Sequence, residues 1–342
     1  MCEQPYTLWN NFASCVAGEW EGVTATFSAS GEPLQLPQHI VPSAFREWGV
    51  ELHDYQSICS CKATGSQAPP TPTTMAAAGG STGARSMSYK LKRMMPTVGC
   101  EADAVAFMEE ASSLWQDLDG PGGELPVLEN GSYFSGSRLL QPGPTPSKAA
   151  ALEMCLAAAD GRSRTRILHR LGPATAAAPS HSYSLLSIEI HKERWDSPYR
   201  NGEVELTQCG GAQPAFATSP KLKAEELHGQ WVPSSGAAYK WCAVDPAGGA
   251  SSAGDGGAAK EVGRLLQVDA GEDSHRPSAA EHDSQTVLLP LGCWTRVDTS
   301  GGDGSLSVVC GVHISSEQRL VGSCVYGNAQ LQTVSLGVEH RA

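Results

Sequence analysis

Residues 184–191 (SLLSIEIH) and 306–314 (LSVVCGVHI) alternate apolar and polar side chains with a period of two over much of their length. That is the pattern of strands with one face turned to a core. Residues 20–27 are also strand-like. Near the C-terminus, residues 306–314, 319–326 and 331–340 are three strand-length runs separated by Ser315-Ser316-Glu317-Gln318 and Gly327-Asn328-Ala329-Gln330, both turn-like, so successive antiparallel pairing is predicted. A meander with Gly-rich connections suits an up-and-down β-barrel, in which closure removes exposed edges. Two stretches carry helical spacing instead. These are residues 8–16 and residues 101–118, where Val105, Met108, Ala111 and Trp115 recur on one helical face. Short helices of this kind fit as lids or plugs at barrel ends.

Between these runs, residues 62–87, 141–148, 172–180, 245–259 and 270–284 are rich in Ala, Gly, Ser, Pro and Thr. Such tracts bury too little apolar surface to offset ordering entropy, so disordered loop insertions are expected at about 62–87, 245–259 and 270–284. The break at 172–180 predicts a border between two domains, residues 1–175 and 181–342. Gly and Pro supply 37 and 22 of the 342 residues, which argues against a helical bundle. The net charge of −12 excludes general binding to nucleic acid or anionic membranes, since both need basic surfaces. The longest apolar runs, such as residues 287–291, are too short to span a bilayer. The eleven cysteines are scattered and odd in number, as expected of free thiols in a reducing compartment. No cleavable leader is expected, because Arg46 is the first basic residue and four glutamates precede it.

Gly18-Glu19-Trp20 opens a strand-like run, Gly229-Gln230-Trp231 sits early in the second half, and Gly292-Cys293-Trp294 is a third such triplet. With this composition roughly one Gly-x-Trp arises by chance, so context must carry the signal. In calycins, meaning lipocalins and their relatives, a Gly-x-Trp begins the first strand and an arginine packs over the indole to plug the barrel. By that analogy Trp20 pairs with Arg162, Arg164 or Arg166, with Arg166 the preferred partner, and Trp231 or Trp294 pairs with Arg341. Residues 18–22 (GEWEG), 31–34 (GEPL), Pro42 and 45–48 (FREW) resemble an uncharacterised calycin-like family of cyanobacteria and plastid-bearing eukaryotes. So do residues 129–133 (ENGSY), 191–195 (HKERW), Pro198-Tyr199, 201–203 (NGE) and 288–290 (LLP) with Trp294. The resemblance implies a mainly β chain of two lipocalin-like up-and-down barrels, related in fold to the lyases that attach bilins to phycobiliproteins. It implies no established activity. It places the protein in the plastid stroma, with the cytoplasm as the alternative.

Candidate chemistry is sparse. Arg46 with Trp48, and Arg194 with Trp195, bring a guanidinium and an indole together in each half, and Tyr55 lies on a strand-like segment. As a pocket mouth, these residues would hold a carboxylate of a tetrapyrrole or fatty acid and pack on its apolar body. As structure, they would be buried tryptophans with arginines paired to Glu47, Glu193 or Asp196. Cys59-Ser60-Cys61 is half a metal site or a redox pair, but no second close Cys/His pair accompanies it, so no metal is expected. Period two divides His53 and Tyr55 from Asp54, so no ready dyad forms. No nucleophile elbow, phosphate loop or dinucleotide fingerprint is present. The expected function is non-catalytic binding of a small hydrophobic molecule, tetrapyrrole or lipid, inside a barrel, with no cofactor. The alternatives are a chromophore lyase or chaperone, and a structural or assembly factor with filled barrels.

Overall fold

The computed structural model describes residues 5–64, 86–96, 98, 107–116, 126–140, 149–173, 183–203, 215–243, 263–268, 286–299 and 305–342. Helix α1 (Pro5–Val16) leads into β1 (Gly18–Ser28), α2 (Ser43–Glu47), β2 (Asp54–Thr64), β3 (Ser86–Met94), β4 (Phe107–Gln116), β5 (Tyr133–Gly136), β6 (Ala150–Ala157), β7 (Ser163–Pro173) and β8 (Tyr183–Ser197). Then come α3 (Ala224–Leu227), β9 (Trp231–Ala243), β10 (Gly263–Val268), β11 (Thr286–Leu288), β12 (Cys293–Asp298), β13 (Leu306–His313), β14 (Gln318–Gly327) and β15 (Gln330–Arg341).

The strands form two antiparallel sheets, ordered β4-β3-β2-β1-β8-β7-β6-β5 and β10-β9-β15-β14-β13-β12-β11. Each order is a ring read from one cut. Neighbours in sequence pair, and the first strand of each unit pairs with its last, β1 with β8 and β9 with β15. Among the described residues, the ladder is interrupted only at β4/β5 in one ring and β10/β11 in the other. This is the mainly β, up-and-down arrangement expected of lipocalin-like barrels. A glycine makes each closing pair possible. A Cβ on Gly22 would lie 2.0 Å from the Lys192 carbonyl oxygen across β1/β8, and one on Gly236 would lie 2.3 Å from that of Leu336 across β9/β15.

Three expectations change. The border at 175/181 falls inside the β7–β8 hairpin, because β8 completes the first ring, so the crossing to the second lies beyond Ser197. Residues 107–116, expected to be helical, are strand β4, paired antiparallel with β3 from Ser86↔Gln116 to Met94↔Phe107. The ladder offered by β3 outweighs a helical spacing that exists only in the apolar residues. The insertion expected from residue 62 to 87 begins later and ends sooner, since residues 62–64 belong to β2 and 86–87 to β3. Its middle, and the insertions at 245–259 and 270–284, lie outside the described residues.

The apolar core sits between the rings. Ile188 and Ile190 of β8, Leu152, Met154 and Leu156 of β6, and Ile167 and Leu171 of β7 join one buried cluster with Val308, Cys310, Val312, Cys324, Val334 and Leu336 of the second sheet. At roughly 1.5–3 kcal/mol per buried aliphatic side chain, this layer is the largest hydrophobic contribution among the described residues. It is tightly packed, since a Cβ on Gly322 of β14 would meet the Met154 sulfur of the first ring at 2.8 Å. The opposite face of the same strands is buried as well. Glu189, His191 and Glu193 of β8 alternate with Ile188, Ile190 and Lys192, and they point into the first ring with at most 6% exposure. The outer wall of this ring is therefore apolar, and its inner wall carries buried charges beside the apolar Trp20, Cys59, Cys61 and Leu91.

Candidate functional site

Each ring is plugged by the same construction. Gly18 and Gly229 hold backbone φ angles of +136° and +111°, which side-chain-bearing residues rarely adopt, and each turns the chain from a helix into the first strand. Trp20 donates its indole N–H to the Val16 carbonyl at the end of α1, at 3.0 Å. Trp231 donates to the Leu227 carbonyl at the end of α3, at 3.1 Å. Over these indoles lie Arg164 of β7, 3.9 Å from the Trp20 centroid, and Arg319 of β14, 4.2 Å from the Trp231 centroid. Each arginine donates its Nε to a glutamate directly opposite on the last strand, Arg164 to Glu193 at 2.6 Å and Arg319 to Glu339 at 2.8 Å. Trp231, not Trp294, is thus the counterpart of Trp20.

The plug partners differ in part from expectation. Arg164, on the next-to-last strand, covers Trp20, whereas Arg166 lies over Tyr89 at 5.1 Å and Arg162 over Trp195 at 5.3 Å. Arg341 lies 5.1 Å from the Trp231 centroid, outside Arg319, and Trp294 is buried 5.4 Å from Arg319. Arg319 and Glu339 were not singled out from sequence. The signal was available: Glu193 and Glu339 precede Trp195 and Arg341 by two residues on the last strands, so each pair shares a face.

Inside the first ring the charges form a network. Arg166 donates Nη2 to Glu193 at 2.7 Å and Nη1 to Glu153 at 3.4 Å, and the Tyr133 hydroxyl donates to Glu153 at 2.6 Å. Nearer the far end, Arg93 donates to Glu189, whose carboxylate also meets His191 Nε2 at 2.9 Å and Arg170 at 3.8 Å. The His191 Nδ1 lies 2.8 Å from the Thr24 hydroxyl. Burial would raise the carboxyl pKa of Glu193, but Arg164 and Arg166 overcome it and hold the group well below the usual carboxylate range. Glu189 is held low in the same way, against burial, by His191, Arg93 and Arg170. Cys59 and Cys61 share the inward face of β2 with their sulfurs 3.7 Å apart, and Arg164 Nη2 lies 3.4 Å from Cys61. The hydrogen bond from Cys59, opposed by burial and aided by Arg164, draws the Cys61 thiol down. No group of three or more His, Cys, Asp or Glu side chains suited to a metal occurs among the described residues.

The expected mouth residues are not brought together. Arg46 and Trp48 are exposed at the end of α2, and Trp48 meets the Phe45 ring edge-on at 6.0 Å. Arg194 is exposed, opposite Glu21 in the β1/β8 register, so it does not join Trp195, which is half-buried beside Arg162. Tyr55 does point inward, with the Arg93 guanidinium 5.4 Å above its ring. It belongs to an apolar cap over this end of the first ring, formed by Leu36, Ile40 and Val41 with Phe45, Leu52 and Met95. Asp54, on the other face of β2, accepts the Ala217 N–H at 2.9 Å, and burial raises its pKa.

No family model matches the chain, and no curated protein does. Among solved structures it is similar to a protein of unknown function from the DUF3598 family of Nostoc punctiforme, at 15% identity and a TM-score of 0.46, covering 98% of this chain and 99% of that one. It is also similar to an S-type phycobiliprotein lyase from Guillardia theta, at 11% identity and a TM-score of 0.30, over 58% of this chain and 98% of the lyase. No helix among the described residues is long and apolar enough to cross a membrane.

Proposed function

We propose that the first ring binds, without transforming it, a small amphipathic molecule of the tetrapyrrole or lipid class, with its carboxylate toward the inward arginines and its apolar body under the cap. The observation carrying this reading is the placement of Arg93, Arg164 and Arg166 on the inner wall, all at most 7% exposed, below the cap of Leu36, Ile40, Val41 and Tyr55. Arginine is suited to such a role, since its planar fork matches a carboxylate. A plastid setting belongs to the same proposal and is tested by locating a fluorescent fusion of the chain.

A second reading, a structural factor with filled rings, is favoured by the pairing of Arg93, Arg164 and Arg166 with Glu189, Glu193 and Glu153. Titration with protoporphyrin, biliverdin and palmitate, followed by tryptophan fluorescence, separates the two. Saturable quenching by at least one ligand, weakened about tenfold in Arg93→Gln by loss of a charge-assisted contact, is expected. Flat titrations with all three would leave the filled-ring reading standing and remove the first.

A further inference from the structure

The repeat that plugs both rings also creates a pocket at the same corner of each, between the helix before the first strand, the turn before the arginine-bearing strand, and the end of the last strand. In the first ring the pocket is about 420 Å³ and is walled by Cys15, Asp160, Arg162, Trp195 and Tyr199. In the second it is about 390 Å³, and the equivalent walls carry Lys221, Lys223, Glu226, Ser315 and Arg341. Trp195 and Arg341 are register equivalents, opposite Trp20 and Trp231 respectively. The first corner sets two aromatic rings beside one cation and one carboxylate, and the second sets three cations beside one carboxylate, yet both rings are plugged. The lysines of the second corner are therefore surplus to closing the barrel, and they concentrate positive charge on a chain of net charge −12.

Three cations, Lys221, Lys223 and Arg341, line this pocket. The Arg341 guanidinium is fixed by donating to the Glu226 and His228 carbonyl oxygens at 3.0 and 2.8 Å. Neither bond neutralises its charge. Lys221 reaches Glu32 of the first ring at 2.8 Å, but that carboxylate is 70% exposed, and so exposed a pair contributes little and yields readily to a better anion. The Glu226 carboxylate is occupied by the Lys223 backbone N–H at 2.7 Å. His313 lines the same pocket, and its pKa is pushed down to about 4, first by burial and then by Arg319 and Arg341, with Glu226 opposing. Leu222 and Ile314 add an apolar wall, and the volume exceeds what a bare ion needs.

We propose that this corner of the second ring binds the phosphate group of a small soluble phosphate monoester, held by Lys221, Lys223 and Arg341, with the organic body against Leu222 and Ile314. The site is independent of the ligand proposed for the first ring. Calorimetric titration of the full chain with phenyl phosphate, inorganic phosphate and benzoate tests it, together with the double variant Lys221→Ala/Lys223→Ala, whose side chains are outside the core. Phenyl phosphate is expected to bind saturably and more tightly than inorganic phosphate or benzoate, with affinity falling at least about tenfold in the double variant as two charge-assisted contacts are lost. In proton NMR, saturation with phenyl phosphate should raise the His313 pKa, because an anion beside it favours the imidazolium. The proposal is overturned by an absence of saturable heat, by equal affinity in the double variant, by benzoate binding as tightly, by an unmoved His313 titration, or by capture of phosphatidic acid vesicles without binding of phenyl phosphate.

Discussion

Glu193 faces two guanidiniums at once, with its side chain 1% exposed, so its charge is shielded from water and compensated chiefly by Arg164 and Arg166. Replacing it by Gln keeps the volume and leaves two buried cations short of a counter-charge. Glu193→Gln should therefore cost about 3–5 kcal/mol in urea unfolding, the range for breaking one side of a buried ion pair. The acid limb should change too. A carboxyl held low in the folded chain contributes stability that is complete above its unfolded pKa, near 4.3, and is lost as pH falls below that value. Wild-type stability should drop more steeply below pH 4.3 than that of Glu193→Gln; parallel acid limbs would show that the pair is not coupled to folding. At this scale the sequence was only partly legible. The Gly-x-Trp triplets and the need for a covering arginine could be read, but the choice among Arg162, Arg164 and Arg166 depends on which falls opposite Glu193. That is a matter of register between β7 and β8, and composition does not encode it.

Strands β1 and β9 make the closing pairs, and each carries a glycine where the last strand's backbone passes too close for any side chain. Ala at Gly22 would drive its Cβ into the Lys192 carbonyl, and Ala at Gly236 into that of Leu336. Relaxation requires the closing ladder itself to shift, so each substitution should cost about 1–3 kcal/mol, as overpacking does, and lower the melting temperature measured by circular dichroism. Gly327→Ala, where the backbone is not left-handed and the added Cβ would meet only the Gln332 side chain at 3.4 Å or more, is the comparison that should cost less. Equal melting temperatures for all three would mean that the closing pairs are not under this constraint. The C-terminal meander was legible because its turns and its alternation agree, as β13, β14 and β15 confirm. Strand β4 was not, because its apolar residues also fit a helix and only pairing with β3 decides between the two. Alternation in β8 identifies a strand with one face toward a core, but it leaves the surroundings of the polar face open. A polar face turned into a ring and a polar face turned to water have the same period.

Because the largest apolar cluster lies between the rings, the two are coupled by the outer walls of their sheets, and a buried titratable group in that layer reports on the whole molecule. His169 of β7 is such a group. It is fully buried, with its Nε2 2.7 Å from the Thr295 hydroxyl of the second sheet, and burial lowers its pKa to about 4. A histidine that resists protonation when folded, but takes a proton near pH 6.5 when unfolded, contributes stability that is complete above 6.5 and is lost as pH falls from there toward 4. The difference amounts to about 3 kcal/mol by pH 4. His313 titrates with the same sign, so the measurement must be differential. His169→Gln should lose less stability than wild type between pH 6.5 and 4 in urea unfolding, by about that amount, while both are compared above pH 7 to fix the cost of the substitution itself. Superimposable pH profiles would mean that the imidazole is hydrated, and that the layer between the rings opens at lower cost than the rest of the fold. The domain border was misplaced from sequence for a related reason: a Gly-, Ala- and Pro-rich break marks a loop, and whether a loop joins two domains or two strands of one ring depends on where the next strand pairs. Here β8 returns to β1, across most of the first unit's length, and that long-range closure carries the inward Glu189, His191 and Glu193 into the first ring and sets Ile188 and Ile190 against the second.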